Sequence, residues 1–293
     1  MRSRDPQVQR AAQLLALHHQ ASPLVLPNAW DVASARIFAA AGAAAIGTTS
    51  MGIAAAAGYP DEEQLPLAAM LDVVARVVAA VDIPVSADLE RGYGETPAAV
   101  GRSVLQVIDA GAVGVNLEDA TGDPSAPLLP VDVFVARIAA ARDAAQAVGV
   151  PLVINARTDV FLAAVGDPAT RLARAIERGN RCRRAGADCV FVPGGLDRET
   201  IAALVRGVDA PINVVANPAI SSPVVPSIAE LAALGVSRVS LGSGPMRATL
   251  ALTLQIAEEV LGEGRYDAMK AALARPSANA AYAMAIGEAR RPG

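Results

Sequence analysis

Residues 83–119 read IPVSADLERGYGETPAAVGRSVLQVIDAGAVGVNLED, and they contain one full repeat of the architecture. An apolar run, "IPVSADLE", ends in acid. "TPAAVGRSVLQVIDAG" follows as a helical segment closed by Gly111, and a second apolar run, "VGVNLED", ends in acid again. Asp88 and Glu90 are one residue apart, so an extended chain would point both carboxylates the same way.

The alternation continues in both directions. Upstream stand "PLVLPNA" with "DVASARIFAAAG" and "AAIGTTS" with "LAAMLDVVARVVAAV". Downstream, "VGVNLED" is followed by "VDVFVARIAAARDAAQAVG" and "PLVINARTDV" by "PATRLARAIERGNRCRRAG". "DCVFVPG" pairs with "DRETIAALVRGV", "PINVVAN" with "SIAELAALG", and "SRVSLGSG" with "RATLALTLQIAEEVLG". The strands read as continuous apolar runs, as expected when both faces are covered. Eight strand–helix units without a break in composition predict one α/β domain over residues 1–293, a (β/α)8 barrel of the TIM type. A polar helix at about 5–20 precedes the barrel, which runs from about 22 to 262, and a helical tail at 263–293 packs on the barrel or on a neighbour.

Composition narrows the chemistry. The net charge of −4 comes with scattered acids and no basic stripe, which argues against a nucleic-acid partner. No run of eighteen apolar residues appears and the N-terminus lacks a signal pattern, so a soluble cytoplasmic protein with no membrane partner is expected. The only lysine is Lys270, beyond the eighth strand, which leaves no Schiff-base lysine in the barrel. Both histidines, His18 and His19, lie in the first helix. Cys182 falls in a helix and Cys189 at the wrong end of a strand, so both are expected to be reduced and inert.

In a barrel of this kind the C-terminal strand ends carry the chemistry. There the sequence places Asn28, Thr48 to Ser50, Asp88 with Glu90, Glu118 with Asp119, and Asn155, Arg157 and Asp159. Asn213, Asn217 and Gly242 to Gly244 complete the set, and Asp61 lies on the long second loop. Asp31 is expected to cap a helix, and Asp119 and Asp159 to bond backbone or Arg. "GSGP" is a tight turn or an anion site. Asp88, Glu90 and Glu118 around one low-dielectric mouth repel unless protons or a cation neutralise them. A hard divalent ion with oxygen ligands, Mg²⁺ or Mn²⁺, fits that set. What remains is Lewis-acid chemistry on an α-oxo acid, with Arg157 clamping a carboxylate or phosphoryl group.

Taken together, "GYPD" at 58–61, "SADLERGYG" at 86–94, "VNLED" at 115–119 and "INARTD" at 154–159 resemble the isocitrate lyase/phosphoenolpyruvate mutase superfamily over roughly residues 20–265. The resemblance implies a barrel whose last helix is swapped with a partner subunit, giving homodimers or homotetramers. It implies Mg²⁺ and the making or breaking of a C–C or P–C bond beside an α-oxo acid, through a metal-stabilised enolate. By position, Asp88 would ligate the metal, and Asp61, Glu90 and Glu118 would hold its waters. Arg157 would bind the carboxylate or phosphonate of the substrate, Thr49 and Ser50 its carboxylate end, and Asn213 would lie in the outer pocket. Asp61, Glu118 and Arg157 are thus the expected catalytic groups.

Where members usually have Asp, this chain has Glu90. The lyases carry a Cys- and His-containing loop after the fourth strand, and here that loop reads "ATGDPSAPLLP". A normal isocitrate or methylisocitrate lyase is therefore not expected. The mutases' histidine after the sixth strand is replaced by "FVPGG". A lyase or decarboxylase on a small oxo acid leads, with a phosphonomutase and a non-catalytic oxo-acid binder as alternatives. Specificity is expected from residues 123–129, from Gly194 and Gly195, and from the segment after Asn217.

Overall fold

The structure is a computed structural model that describes residues 4–194, 196–219, 225–274 and 277–288. Helix α1 (Asp5–Leu17) leads into strands β1 (Leu24–Leu26) and β2 (Asn28–Ala29). Next come α2 (Val32–Ala40), β3 (Ile46–Thr48), α3 (Ser50–Ala56), α4 (Leu67–Ala80), β4 (Val85–Asp88) and α5 (Pro97–Asp109). The middle of the chain forms β5 (Gly114–Glu118), α6 (Val131–Ala147), β6 (Val153–Arg157), α7 (Pro168–Arg184) and β7 (Cys189–Phe191). It continues as α8 (Arg198–Gly207), β8 (Ile212–Val215), α9 (Ile228–Ala233), β9 (Arg238–Ser240) and α10 (Gly244–Glu258). A π-helical turn (Glu259–Glu263), α11 (Asp267–Leu273) and α12 (Ser277–Ile286) complete the described chain.

All nine strands run parallel in the order β1-β9-β8-β7-β6-β5-β4-β3-β2. β1 and β2 stand at opposite ends of that order, yet only Pro27 separates them in the chain. The expected first strand is therefore two short strands. Pro27 has no N–H to donate, so pairing switches there from β9 to β3 and the sheet closes into a nearly complete (β/α)8 barrel. The Pro27 carbonyl still accepts from the Gly47 amide at 2.9 Å.

Local chemistry sets the helix ends. Asp31 caps α2 through the Ser34 amide, as the sequence reading expected, and Thr96, Asp197 and Ser227 cap α5, α8 and α9. Gly111 follows α5 with φ 94°, which a side chain would resist. α1 covers the N-terminal end of the barrel: Leu14 is fully buried, and a Cβ at Gly114 would meet its Cδ2 at 2.8 Å.

The strands are not apolar on both faces. Val115 and Leu117 of β5 and Ile154 and Ala156 of β6 join the apolar layer formed with Val104, Ile108, Phe134 and Ile138 of α5 and α6. Asn116 and Asn155, between them in sequence, and Arg157, next after Ala156, line a cavity in the lumen. Small barrels usually fill the lumen with branched apolar side chains, and this one fills much of it with amides and charge.

The last barrel helix, α10, expected from the resemblance to be exchanged with a partner subunit, buries only Met246 within one chain, while Leu250 and Leu254 are 53% and 59% exposed. α12 turns back onto the barrel, where Arg36 of α2 donates to the Ala285 carbonyl at 3.1 Å. Among the described residues no helix is long and apolar enough to cross a membrane.

Candidate active site at the barrel mouth

Asp88 ends β4, and its carboxylate is fixed on both oxygens. The Ser50 amide donates to Oδ2 at 2.9 Å and Asn116 Nδ2 to Oδ1 at 2.9 Å. Asn155 Nδ2 donates in turn to Asn116 Oδ1 at 2.9 Å, so a chain of amides across β5 and β6 sets the orientation of Asp88. Thr48 Oγ1 accepts from the Asp88 amide, and Thr49 caps α3 through Gly52. Thr49 and Ser50 are buried at the start of α3 and line a cavity of about 140 Å³ together with Asp61, Asp88 and Arg157.

Glu90 is placed differently from the sequence expectation. β4 stops at Asp88, and Glu90 has φ 51°, so the two carboxylates do not project side by side from one extended strand. Its oxygens accept from the Glu63 amide at 2.7 Å and the Tyr93 hydroxyl at 3.2 Å. Glu90 does not line the cavity, yet it senses the acids that do. Burial, then Asp88 and Asp61, push its pKa up to about 8. Glu62 and Glu63 are also left-handed, at φ 68° and 60°, so the loop carrying Asp61 stores backbone strain beside the site.

Arg157 ends β6 between two acids. Nη1 meets Glu118 Oε2 at 2.7 Å, and Nε and Nη2 donate to Asp159 at 2.6 and 2.7 Å. Burial works against its charge, but Glu118 and Asp159 hold the guanidinium protonated. Burial in turn raises Glu118, and Arg157 opposes that rise. Three N–H groups are thus engaged, which leaves two of the five for a ligand. The guanidinium lies 5.7 Å from the Phe191 ring centroid.

Behind this pair Asp119 is fully buried and structural. It accepts from Arg178 Nε at 2.7 Å, Thr158 Oγ1 at 2.6 Å and the Asp159 amide at 2.9 Å. The loop after β5 folds back on itself through an Ala120–Leu128 bridge, and none of residues 123–129 lines the cavity. Its rim is made instead by Met51, Leu162 and Pro193. Gly194 packs under Phe161, Gly195 lies outside the described residues, and so do residues 220–224 of the segment after Asn217.

A cation's fit is legible in the donor set. Burial, then Asp88, raise the Asp61 pKa above the ordinary carboxylate value, and its Oδ1 is buried without a hydrogen-bond partner. Among the described residues no three His, Cys, Asp or Glu side chains form a direct metal cluster. Asp88 and Asp61 thus fit a cation that takes few protein ligands and keeps water.

The family model for phosphoenolpyruvate phosphomutase matches residues 14–261. The chain belongs to that family. Within the phosphoenolpyruvate phosphomutase family and its isocitrate lyase neighbours, the Mycobacterium tuberculosis protein Rv1998c is 37% identical over 235 residues, 80% of this chain and 83% of that one. A crystal structure from Burkholderia cenocepacia, provisionally described as a lyase/mutase, superposes with TM-score 0.87 at 41% identity over 95% of this chain and 97% of its own. The superfamily member 2,3-dimethylmalate lyase gives TM-score 0.78 at 28% identity, covering 88% of this chain and 89% of that one. The two solved structures are described as a lyase or mutase and as a lyase, and with the family match they make enzyme the coarse class of this family member.

Asn213 lines the same cavity, as a pocket residue would, but it lies deep rather than in an outer pocket: it is 1% exposed in β8, beside Arg238 at the start of β9. The sequence reading missed Arg238 and Asn116 altogether. Their signal was present: an Arg inside the short strand "SRVSL" and an Asn between Val115 and Leu117 are costly on any face but a polar lumen.

Proposed function

We propose that this protein is a divalent-metal-dependent lyase, with Mg²⁺ or Mn²⁺, that cleaves or forms a C–C or P–C bond beside a small α-oxo acid. The observation that carries this reading is Asp88, fixed by Ser50 and Asn116 in a mouth where Asp61 has a free oxygen and Arg157 keeps two donors. Asp88 would hold the ion directly, and Asp61, Glu90 and Glu118 would orient its waters, Glu90 and Glu118 from behind. The ion supplies charge stabilisation for an enolate. Arg157 binds the carboxylate or phosphonate of the substrate, and the amide-rich start of α3 at Thr49 and Ser50 orients its oxo-acid end. Asp61 is the group suited to carry a proton, because burial and Asp88 raise its pKa above the ordinary carboxylate value and its Oδ1 is unpaired.

The lining contains no Cys, His or Lys. That favours oxo-acid lyase or decarboxylase chemistry over isocitrate and methylisocitrate lyases, which draw on a cysteine. A phosphonomutase is the alternative that the family match favours. The test is NMR of the purified protein with Mg²⁺ and oxaloacetate, phosphonopyruvate, methylisocitrate, isocitrate or 2-methylmalate. Conversion of one compound, lost with EDTA, is expected. No conversion, with Mg²⁺-dependent thermal stabilisation by oxalate, would replace the enzyme by an oxo-acid binder.

We also read α10 as an assembly helix in a cytoplasmic homodimer or homotetramer, by exchange between subunits. Leu250, Leu252 and Leu254, with Leu261 of the π-helical turn that follows, present apolar surface that one chain leaves uncovered.

A further inference from the structure

The lumen continues below Asp88 to a second charged group. Arg238 is 3% exposed, lines the same cavity, and has neither Nε nor Nη1 hydrogen-bonded. Asn213, its register partner on β8, gives Oδ1 to the Ser240 hydroxyl and leaves Nδ2 without a partner. Asn155 likewise keeps Oδ1 unpaired. Buried polar atoms are normally satisfied, and a buried guanidinium without a counter-charge is costly.

The surrounding residues supply no such charge by contact. Both Asp88 oxygens are turned to Ser50 and Asn116. Burial pushes the Cys189 thiol up to about 12, so it is uncharged at neutral pH. Burial, with Arg238 adding to it, holds His18 down at about 4, so the imidazole is neutral as well. The unpaired donor atoms are Arg238 Nε and Nη1 and Asn213 Nδ2, on adjacent strands. Nη1 lies on the side of the guanidinium away from Nε–H, so each offers its own hydrogen bond to an oxygen, and with the positive charge and the neighbouring amide NH₂ they suit an anionic oxygen ligand.

We propose that the lumen floor is a carboxylate-binding subsite, with Arg238 as its charged donor and Asn213 Nδ2 as its neutral one. The proposal deepens the α-oxo acid reading and rests on it only for whose carboxylate enters. A second carboxylate of the substrate would reach inward past Asp88 and select dicarboxylic over monocarboxylic oxo acids. A free monocarboxylate would use the same donors.

The test uses the full chain stripped of metal with EDTA, so that its failure and the failure of the metal-enolate reading are separable. Calorimetric titration and thermal unfolding are measured with formate and with malonate at constant ionic strength. Both anions are expected to bind and stabilise the wild type. Malonate acting at tenfold or more lower concentration identifies a tethered carboxylate, and equal potency identifies a free one. R238M should fold as well as the wild type without anion, since it removes an unpaired buried charge, and should bind either anion at least tenfold more weakly. N213L keeps the charge and should weaken binding severalfold, which tests the site independently of how R238M folds. Unchanged anion affinity in R238M and N213L, or no anion response in the wild type, would overturn the proposal.

Discussion

Arg157 at the mouth of the barrel is held between Glu118 and Asp159, each within 2.7 Å, while Arg238 at the floor touches no acid. Arg238 is buried and Arg157 half-buried, and both line one cavity. The difference lies in what each strand end offers. β5 and β6 finish in acids and their loops add more, so a cation there is compensated before any ligand arrives. β8 and β9 pass the floor with Asn213 and Ser240, which orient but carry no charge. A paired guanidinium is a finished part of the scaffold. An unpaired one is set up for something that arrives.

That comparison can be broken most decisively at the mouth. Asp88→Ala should lower turnover by about 1,000-fold or more, a barrier change of about 4 kcal/mol. Metal-dependent thermal stabilisation should be lost with it. Turnover that survives in this variant would remove Asp88 from the metal site.

The next effect contrasts a paired arginine with the unpaired one. Arg178→Ala leaves Asp119 buried without its counter-charge, and urea unfolding should show a loss of about 3–5 kcal/mol. R238M should show no loss in the same assay. Equal destabilisation of the two would mean that Arg238 has a structural partner after all.

His18 lies next to the floor and makes it pH-sensitive. Its pKa falls from 6.5 to about 4, chiefly through burial, while the unfolded chain keeps the ordinary value. Stability is therefore whole above about pH 6.5, and it drops by about 1.4 kcal/mol per pH unit as the pH falls from there to about 4. The total is about 3 kcal/mol. His18→Leu should flatten that slope in unfolding midpoints measured across the window, and an unchanged slope would assign the acid lability elsewhere.

The smallest effect on folding belongs to the exposed helix. Leu254→Glu should change the stability of the single chain by no more than about 0.5 kcal/mol, since the residue is 59% exposed there. Light scattering should nonetheless show a smaller assembly than the wild type. An unchanged mass would take α10 out of the subunit contact.

Much of the fold was legible because its signals are local. Eight helix periods, the Asp31 cap and the glycine after α5 are each written within a few residues of where they act. The mouth was legible for the same reason: in a parallel barrel the strand ends converge, so Asp88, Glu118 and Arg157 meet wherever the strands are correctly placed. The split at Pro27 was less so, since only the pairing of β1 with β9 and of β2 with β3 shows that one apolar run serves two neighbours. Glu90 illustrates another limit. Its sequence spacing from Asp88 implies a shared direction only while the strand lasts, and the left-handed turn that redirects it is held by the Glu63 amide, 27 residues away.

By itself, then, the sequence determined the barrel, its eight-unit order and the acids and arginine at the strand ends, because periodicity and end residues are properties of neighbours in the chain. Tertiary structure alone decided which of those charges are paired. Glu118 meets Arg157 across two strands, Arg178 reaches Asp119 from α7, and Arg238 keeps Nε and Nη1 without a hydrogen-bond partner. Pairing depends on register and on which side chains share a face of the lumen, and those distances exist only once the sheet has closed.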